Sequence, residues 1–247
     1  MSLPSGIHIG TSGWNYDDWK GNFYPDDISQ DAMLSANAEH FGTVEVNGTF
    51  YSLPKPEIVS TWAQAVPPDF VFSVKASQYI THMKKLKNPE DALANLYEIL
   101  RPLGDRLGPV LFQLPPSWQV DTKRLEKFLK TLSRDFRYTF EFRDTSWHCE
   151  EVYELLSRHE AALCFYDYEE QQSPRRHTTD FIYMRLHGPE EQAYKGSYKD
   201  EVLDRYAQDC LNSRKSGKSV FCYFDNDEKA CAPHDAERLI KKIKDIE

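Results

Sequence analysis

The chain has 247 residues, of which 40% are hydrophobic, 28% charged and 13% aromatic, and its formal net charge at pH 7 is -9. This composition is typical of a soluble globular protein with enough apolar material for a sizeable core, and it argues against disorder. Because the net negative charge repels polyanions, we do not expect nucleic acid as a partner.

The apolar runs of the sequence are no longer than strands. The run at 182–186 is interrupted by Arg185, whereas a membrane helix needs roughly 20 apolar residues. The N-terminal residues lack the basic region and apolar core of a secretory signal, so we expect a cytoplasmic protein without a membrane partner. The five cysteines are an odd number without a Cys-x-x-Cys pair, which indicates reduced thiols rather than disulfides or structural zinc.

Strand-like and helix-like segments alternate along the chain. The predicted strands are apolar or alternating runs bounded by turn residues, at 7–12, 43–47, 70–75, 110–114, 138–143, 162–167, 181–187 and 219–226. The predicted helices show apolar residues at helical spacing, at 29–41, 56–65, 88–104, 121–134, 150–160, 197–217 and 232–244. This alternation predicts a parallel sheet with crossover helices, and eight strands predict a closed α/β barrel of the TIM type, (β/α)8.

An open doubly wound sheet is the alternative fold. The barrel is favoured because no Gly-x-Gly-x-x-Gly follows the first strand, where 10–14 read GTSGW. The crossover between strands six and seven, 168–180, is polar and contains Pro174, which predicts an irregular segment instead of a helix. Without a repeat, low-complexity tract or linker, we expect a single barrel domain over 1–247.

Polar and apolar residues alternate near the carboxyl ends of four predicted strands. In a barrel the outward face packs on helices, whereas inward residues at these ends open onto the loops that form active sites. The polar phase is therefore predicted to point inward. Its members are Glu45 with Asn47, Ser73 with Lys75, Glu141 with Arg143, and Arg185 with His187.

Two further strands and the last strand fit this pattern less completely. Gln113 and Asp167 are in the same predicted phase. The last strand leaves two phases open, because either Tyr223 with Asp225 or Phe224 with Asn226 can point inward.

Three interpretations of the charged cluster remain open at this point. The charges could simply pair with one another, since buried charges are tolerated only when paired and hydrogen-bonded. The carboxylates and His187 could bind a divalent metal, although the interleaved cations would repel it. The leading interpretation is a small anionic or sugar-like ligand, held by the cations, with carboxylates or imidazoles as acid and base. The cations are Lys75, Arg143 and Arg185.

Several longer segments are similar to one known family. In chain order they read IGTSGWNYDDWKGNFYP, FGTVEVNGTFYSLP, FVFSVKASQYITH, LGPVLFQLPP, FEFRDTSW, IYMRLHG and YFDN. Together they resemble the YecE-like family, catalogued as domain of unknown function 72, over nearly the whole chain. The resemblance implies a TIM-type barrel but no reaction, because the family has none assigned.

The strand-end pattern and the matched segments give one set of candidate residues. The predicted catalytic residues are Glu45, Glu141, His187 and His82. The predicted ligand-binding residues are Asn47, Lys75, Gln113, Arg143, Arg185, Trp14, Tyr16, Tyr51, Trp147 and Asn226. No residue is assigned as a metal ligand and no cofactor is expected, with a divalent metal as the lesser option.

The sequence supports two classes of function. The first is a barrel enzyme that uses acid/base residues and Arg/Lys at the carboxyl ends of the strands on an anionic or sugar-like small molecule, with a metal-dependent phosphoester hydrolase or isomerase as its variant. The second is a non-catalytic module that binds a ligand or a nucleic-acid end. The substrate, turnover and oligomeric state stay open.

Overall fold

The computed structural model describes residues 3–168 and 171–247. Its strands are β1 (Ile7–Ser12), β2 (Thr43–Val46), β3 (Val71–Lys75), β4 (Leu107–Leu114), β5 (Tyr138–Phe142), β6 (Ala162–Tyr168), β7 (Gln171–Gln172), β8 (Phe181–Leu186) and β9 (Ser219–Phe224). Its helices are α1 (Gln30–His40), α2 (Pro56–Gln64), α3 (Glu90–Leu100), α4 (Thr122–Leu129), α5 (Glu150–Arg158), α6 (Asp200–Lys215) and α7 (Cys231–Ile246).

Eight of these strands form a closed parallel barrel with helices between them, which confirms the predicted α/β fold of the TIM type. The order of the sheet is β5-β4-β3-β2-β1-β9-β8-β6-β7, and the pairing of β5 with β6 closes it. The short strand β7 is additional and pairs antiparallel with β6.

Contacts within the chain divide it into two compact units. The first comprises Met1–Glu45, Phe165–Ser173 and Asp180–Glu247, and the second comprises Val46–Cys164 and Pro174–Thr179. The single barrel domain over 1–247 stays a prediction.

In the first unit, strand register separates an apolar face from a polar one. β1 pairs with β2 so that Ser12 lies opposite Glu45, and β8 pairs with β9 so that Arg185 lies opposite Tyr223. Leu186 and Phe224, one residue further along, belong to the buried cluster that includes α6 and α7 residues. Because side chains alternate along a strand, Leu186 and Phe224 pack on the helices, and the polar residues Ser12, Glu45 and Arg185 lie on the opposite face of the strands.

In the second unit, aromatic packing sets the same alternation. Phe112 of β4 stacks on Phe140 of β5 at a centroid distance of 5.4 Å and meets Phe128 of α4 edge to face at 5.0 Å. The register of the two strands places Gln113 opposite Glu141. Because these residues follow the buried phenylalanines, they take the opposite phase.

The crossover from β6 to β8 corresponds to the predicted irregular segment. Residues 171–180, the described part after β6, contain β7 and no helix, while Glu169 and Glu170 lie outside the described residues. In the first unit, the Ser173 hydroxyl accepts a hydrogen bond from the Tyr166 amide at 2.9 Å. In the second, Thr178 donates to the Ala161 carbonyl at 2.7 Å, which fixes the segment to the chain just before β6.

No described helix is long and apolar enough to cross a membrane.

Gly10 occupies a point of β1 where the neighbouring backbone comes very close. A Cβ atom at this position would lie 2.1 Å from the carbonyl oxygen of Thr43. Since backbone atoms cannot yield as a flexible side chain can, we expect Gly10→Ala to lower the free energy of unfolding by more than about 2 kcal/mol. Urea unfolding followed by tryptophan fluorescence measures the loss.

Gly42→Ala is the matched control, because a Cβ atom there has no heavy atom within 4 Å. We expect its unfolding free energy to change by less than about 1 kcal/mol. Equal losses in the two variants would contradict the close approach at Gly10.

Candidate functional site

Glu45 is the centre of a buried polar network in the first unit. The Ser12 hydroxyl donates to one carboxylate oxygen, and the Tyr183 hydroxyl donates to the other at 2.6 Å. Arg185 adds its Nε, 3.0 and 3.1 Å from the two oxygens, and its Nη2, 3.0 Å from Oε1. These donors take up the acceptor capacity of a carboxylate, so Glu45 is arranged to hold Arg185.

Arg185 links Glu45 to two further side chains of the first unit. Its side chain is only 1% exposed. Nη2 donates to Asp225 Oδ2 at 2.6 Å, and Nη1 lies 2.8 Å from His187 Nε2. A guanidinium has only donors, so the imidazole nitrogen must accept this bond.

His187 is therefore held in one tautomer. Its Nδ1 lies 2.7 Å from the backbone carbonyl of Asp167, which can only accept, so Nδ1 carries the proton. Nε2 accepts from Arg185, and the partners on both sides assign the neutral imidazole. To take up a proton, His187 would have to release Arg185, and its acid/base role stays a prediction.

The structure resolves the phase of the last strand. Tyr223 shares a 2.7 Å hydrogen bond with Thr43, and Asp225 pairs with Arg185, whereas Phe224 lies in the apolar cluster. Asp225 is thus a member of the buried network that the sequence did not select. The alternation in YFDN shows that Tyr223 and Asp225 share a face, but a contact of one of them is needed to tell which face points inward.

Asn226, a predicted ligand-binding residue, lies in a different set of contacts. Its amide donates to the Gly196 carbonyl at 2.8 Å and to Asp235 Oδ2 at 2.9 Å. Asp235 also accepts from the Ser197 hydroxyl at 2.6 Å and from Arg238 at 2.7 Å. The Asn226 amide thus fixes a loop to α7, and a ligand contact stays a prediction.

Asp167 points away from the network, contrary to the phase expected from the sequence. Its carboxylate accepts from Tyr198 at 2.5 Å, from Tyr206 of α6 at 3.3 Å and from the His187 amide at 2.7 Å. Burial raises the pKa of Asp167 from 3.8 to about 6, and the hydrogen bonds from the tyrosines and the amide oppose that shift.

Two predicted aromatic contacts of the first unit lie in the segment after β1. The hydroxyl of Tyr16, which is half-buried, donates to the Ser12 carbonyl at 2.6 Å. Burial, followed by the charge of Asp225, raises the pKa of Tyr16 well above its ordinary value. Trp14 packs partly buried against the apolar cluster.

In the second unit, Glu141 of β5 forms an ion pair with Arg143, the residue that follows the strand. Arg143 Nε donates to Glu141 Oε1, and the Cys164 thiol lies 3.8 Å from Oε2. Glu141 is fully buried, whereas the Arg143 side chain retains 7% exposure. Gln113, opposite Glu141 in the strand register, is half-buried.

Lys75 and Asn47 lie at the ends of β3 and β2. The Lys75 ammonium is 4.3 Å from the centre of the Phe50 ring, a cation–π distance, and the residue is 7% exposed. Asn47 is half-buried, and its buried Oδ1 has no hydrogen-bond partner among the described residues. A buried acceptor without a donor is costly, which makes Asn47 a candidate contact for a ligand donor group.

His82 lies in a helical turn that follows β3. It is half-buried, its Nδ1 shares a 2.9 Å hydrogen bond with Thr81, and its ring meets Phe50 edge to face at 5.0 Å. Burial and then the Lys75 charge lower the pKa of His82 below 6.5, while Glu141 opposes the shift. The charges of Lys75 and Glu141 therefore both act on the His82 ring.

The two remaining aromatic candidates differ sharply in exposure. Tyr51 is 71% exposed beside Phe50. Trp147 is fully buried, stacks on Phe142 at 4.9 Å and donates to the Trp118 carbonyl at 2.6 Å. In this structure Trp147 has no surface to offer a ligand, so its contacts are those of core packing.

The predicted site residues thus form two local sets. In the first unit the structure brings together Glu45, Arg185 and His187, and adds Ser12, Tyr183 and Asp225. In the second, Glu141 pairs with Arg143, and the charges of Glu141 and Lys75 act on His82. Among the described residues, no group of three or more His, Cys, Asp or Glu side chains is arranged to hold a metal ion.

Asp167 gives a pH-dependent prediction. Its folded pKa of about 6 exceeds the ordinary 3.8, so folding favours its protonated form. That contribution to stability is complete below about pH 4 and is lost as the pH rises through about 6. We expect the unfolding free energy of the wild type, relative to Asp167→Asn, to fall by about 2 kcal/mol between about pH 4.5 and 7.5.

Urea unfolding of both proteins across that pH range measures the difference. Asp69→Asn, at an exposed aspartate, serves as the control and should track the wild type. Parallel curves for the wild type and Asp167→Asn would show that burial does not shift this carboxyl.

Comparison with known proteins identifies the family. A family profile described as "Protein of unknown function DUF72" matches residues 8–246. The UPF0759 protein YecE of Escherichia coli K12 is 32% identical over 138 residues, which are 56% of this chain and 48% of that protein. YunF of Bacillus subtilis 168, also a UPF0759 protein, is 29% identical over 156 residues, 60% of this chain and 54% of the relative. The matches span about half the length of these curated relatives.

Solved structures agree with this assignment. A DUF72 family protein from Thermotoga maritima MSB8 has a TM-score of 0.86 and 29% identity, covering 96% of this chain and 99% of its own. Another, from Enterococcus faecalis V583, has a TM-score of 0.83 at 19% identity, with 96% of this chain and 95% of that chain covered, and supports the fold alone. The chain belongs to the YecE-like DUF72 family, as its sequence motifs predicted.

Proposed function

We propose that this protein is a barrel enzyme that binds a small anionic or sugar-like molecule at the carboxyl ends of its strands. Lys75 and Arg143 contact the anionic group, and His82 acts as the general acid or base. The family assignment supplies no reaction, so the proposal depends on the side chains of the second unit.

The observation that carries the proposal is the group formed by two cations, one carboxylate and one neutral imidazole. Lys75 and Arg143 are each 7% exposed, so their heads are largely desolvated but still reachable. Charge-assisted hydrogen bonds gain strength where water is largely excluded. Glu141 pairs with Arg143 and orients its fork.

His82 suits the role of proton acceptor for two reasons. Its lowered pKa favours the neutral imidazole near pH 7, the form that can accept a proton. The bond of Nδ1 to Thr81 fixes the ring, and Nε2 has no hydrogen-bond partner among the described residues. By contrast, Glu45 and His187 are buried and engaged by donors and acceptors on all sides, so the proposal assigns them to positioning.

Asn47 extends the proposal to the neutral part of the ligand. Its unpartnered Oδ1 is suited to accept from a hydroxyl or amine. A ligand that combines an anionic group with hydroxyl groups, as a sugar phosphate or hydroxy acid does, would match both kinds of contact.

Ligand-dependent stability tests the binding site. We expect a thermal-shift screen against inorganic phosphate, sugar phosphates and hydroxy acids to find an anion that raises the unfolding midpoint of the wild type by about 5 °C at saturation, through mass action. Lys75→Met, which keeps the length of the side chain but removes its charge, should abolish that shift.

Lys84→Met is the matched control, since Lys84 is an exposed lysine of the same unit. It should respond to the anion as the wild type does. If no compound in the screen stabilises the wild type, or if Lys75→Met responds fully, the anion site is wrong.

Turnover distinguishes an enzyme from a binding module. With the compound found in the screen as substrate, we expect His82→Gln to lower kcat by at least about 100-fold, the usual contribution of a general acid or base. The thermal shift should remain, because Gln keeps a polar side chain at that position. Wild-type protein that binds the compound without turning it over would support the binding module instead.

A further inference from the structure

The second unit contains an open cavity on the outside of α5. Its volume is about 640 Å³, within the range of about 300–1,000 Å³ found for small-molecule sites. One wall is a face of α5, and the other is the segment 175–178. None of the residues lining it belongs to the group around Lys75 and His82.

The irregular crossover explains why this cavity exists. In a barrel of this type a helix normally follows each strand and covers the outside, but residues 171–180, described after β6, contain none. Thr178 anchors the end of the segment, donating to the Ala161 carbonyl and accepting from the Leu163 amide at 3.0 Å. The wall of the cavity is therefore fixed at one end.

Three arginines give the cavity its chemistry. Arg176 holds both oxygens of Glu150, at 2.5 and 2.7 Å, and lies 5.5 Å from the Tyr153 ring. The ion pair with Glu150 holds the Arg176 guanidinium over the Tyr153 ring. Arg158 and Arg175 also line the cavity.

The charge balance at the cavity differs from that of the whole chain. Its lining contains Arg158, Arg175 and Arg176 against Glu150 and Glu154, with His177 beside them. Within residues 3–168 and 171–247, Arg158 forms no side-chain hydrogen bond or salt bridge, although it interacts electrostatically with Glu126, so its N–H groups can still be donated to a ligand. In a chain of net charge -9, a concave site with an excess of guanidinium groups favours an anionic occupant.

We propose that this cavity is a second ligand site, which binds a small molecule with at least two phosphate or carboxylate groups. Arg158 and Arg175 contact those groups from opposite walls, while Glu150 keeps Arg176 in place beside Tyr153. Guanidinium forks match the planar or tripod geometry of carboxylates and phosphates, and two walls select for a ligand with separated charges.

Calorimetric titration with inorganic pyrophosphate at low ionic strength tests the site, because salt screens exposed charges. We expect the double variant Arg158→Ala/Arg175→Ala to bind pyrophosphate at least about tenfold more weakly than the wild type at this site, the effect of about 1.4 kcal/mol. Glu154→Gln, which removes a negative charge from the lining, should bind more tightly. The three altered side chains, Glu154, Arg158 and Arg175, are all exposed, and circular dichroism tests whether the variants fold.

Two further variants separate this site from others. Arg101→Ala removes an exposed arginine of the same unit that pairs with Glu98 at 2.6 Å, and it should leave binding unchanged. Lys75→Met should also retain pyrophosphate binding at the cavity beside α5, even if it removes pyrophosphate binding at the strand ends. The inference is overturned if the wild type does not bind pyrophosphate, if Arg101→Ala weakens binding as much as the double variant, or if only Lys75→Met abolishes binding.

Discussion

The arrangement of the first unit depends on the burial of one guanidinium. Arg185 is 1% exposed, and an unpaired charge in that position would cost several kcal/mol. Glu45 and Asp225 supply the compensating charges, and His187 Nε2 accepts a hydrogen bond from Nη1. Since Arg185 can only donate, it dictates the protonation of His187 and the orientation of both carboxylates. Three strands are thereby fixed to one another through a single side chain.

The second unit solves a similar problem with a shorter connection. Glu141 lies in β5 and Arg143 directly follows its last residue, so the two residues are only two positions apart in the chain. Such a pair needs no partner from another strand to orient it. The Arg143 side chain is 7% exposed and that of Arg185 only 1%, so Arg143 is the more accessible of the two guanidinium groups.

The sequence predicted which residues share a face but not which of them pair. Period-two alternation correctly grouped Glu45, Arg185 and His187, because the apolar residues between them pack on helices. It could not show that Asp225 joins this group, since pairing depends on register between strands far apart in the chain. Asp167 was assigned to the wrong face: one step along β6 reverses the direction of a side chain, and every residue of that strand up to Asp167 is buried. The sequence also could not show that Trp147 is buried against Phe142, because an aromatic residue after a strand can either pack in the core or line a binding site.

Exposure and unmet hydrogen bonds, rather than charge alone, separate the residues that can react from those that hold the fold. A carboxylate or imidazole whose acceptors and donors are all engaged must break a bond before it can act, and in a buried network that cost is high. Glu45 and His187 are in this situation. His82 combines partial exposure, a fixed ring and a lowered pKa, so it can exchange a proton without dismantling its surroundings. For the proposed acid/base role, these properties favour His82, in the helical turn after β3, over Glu45 and His187.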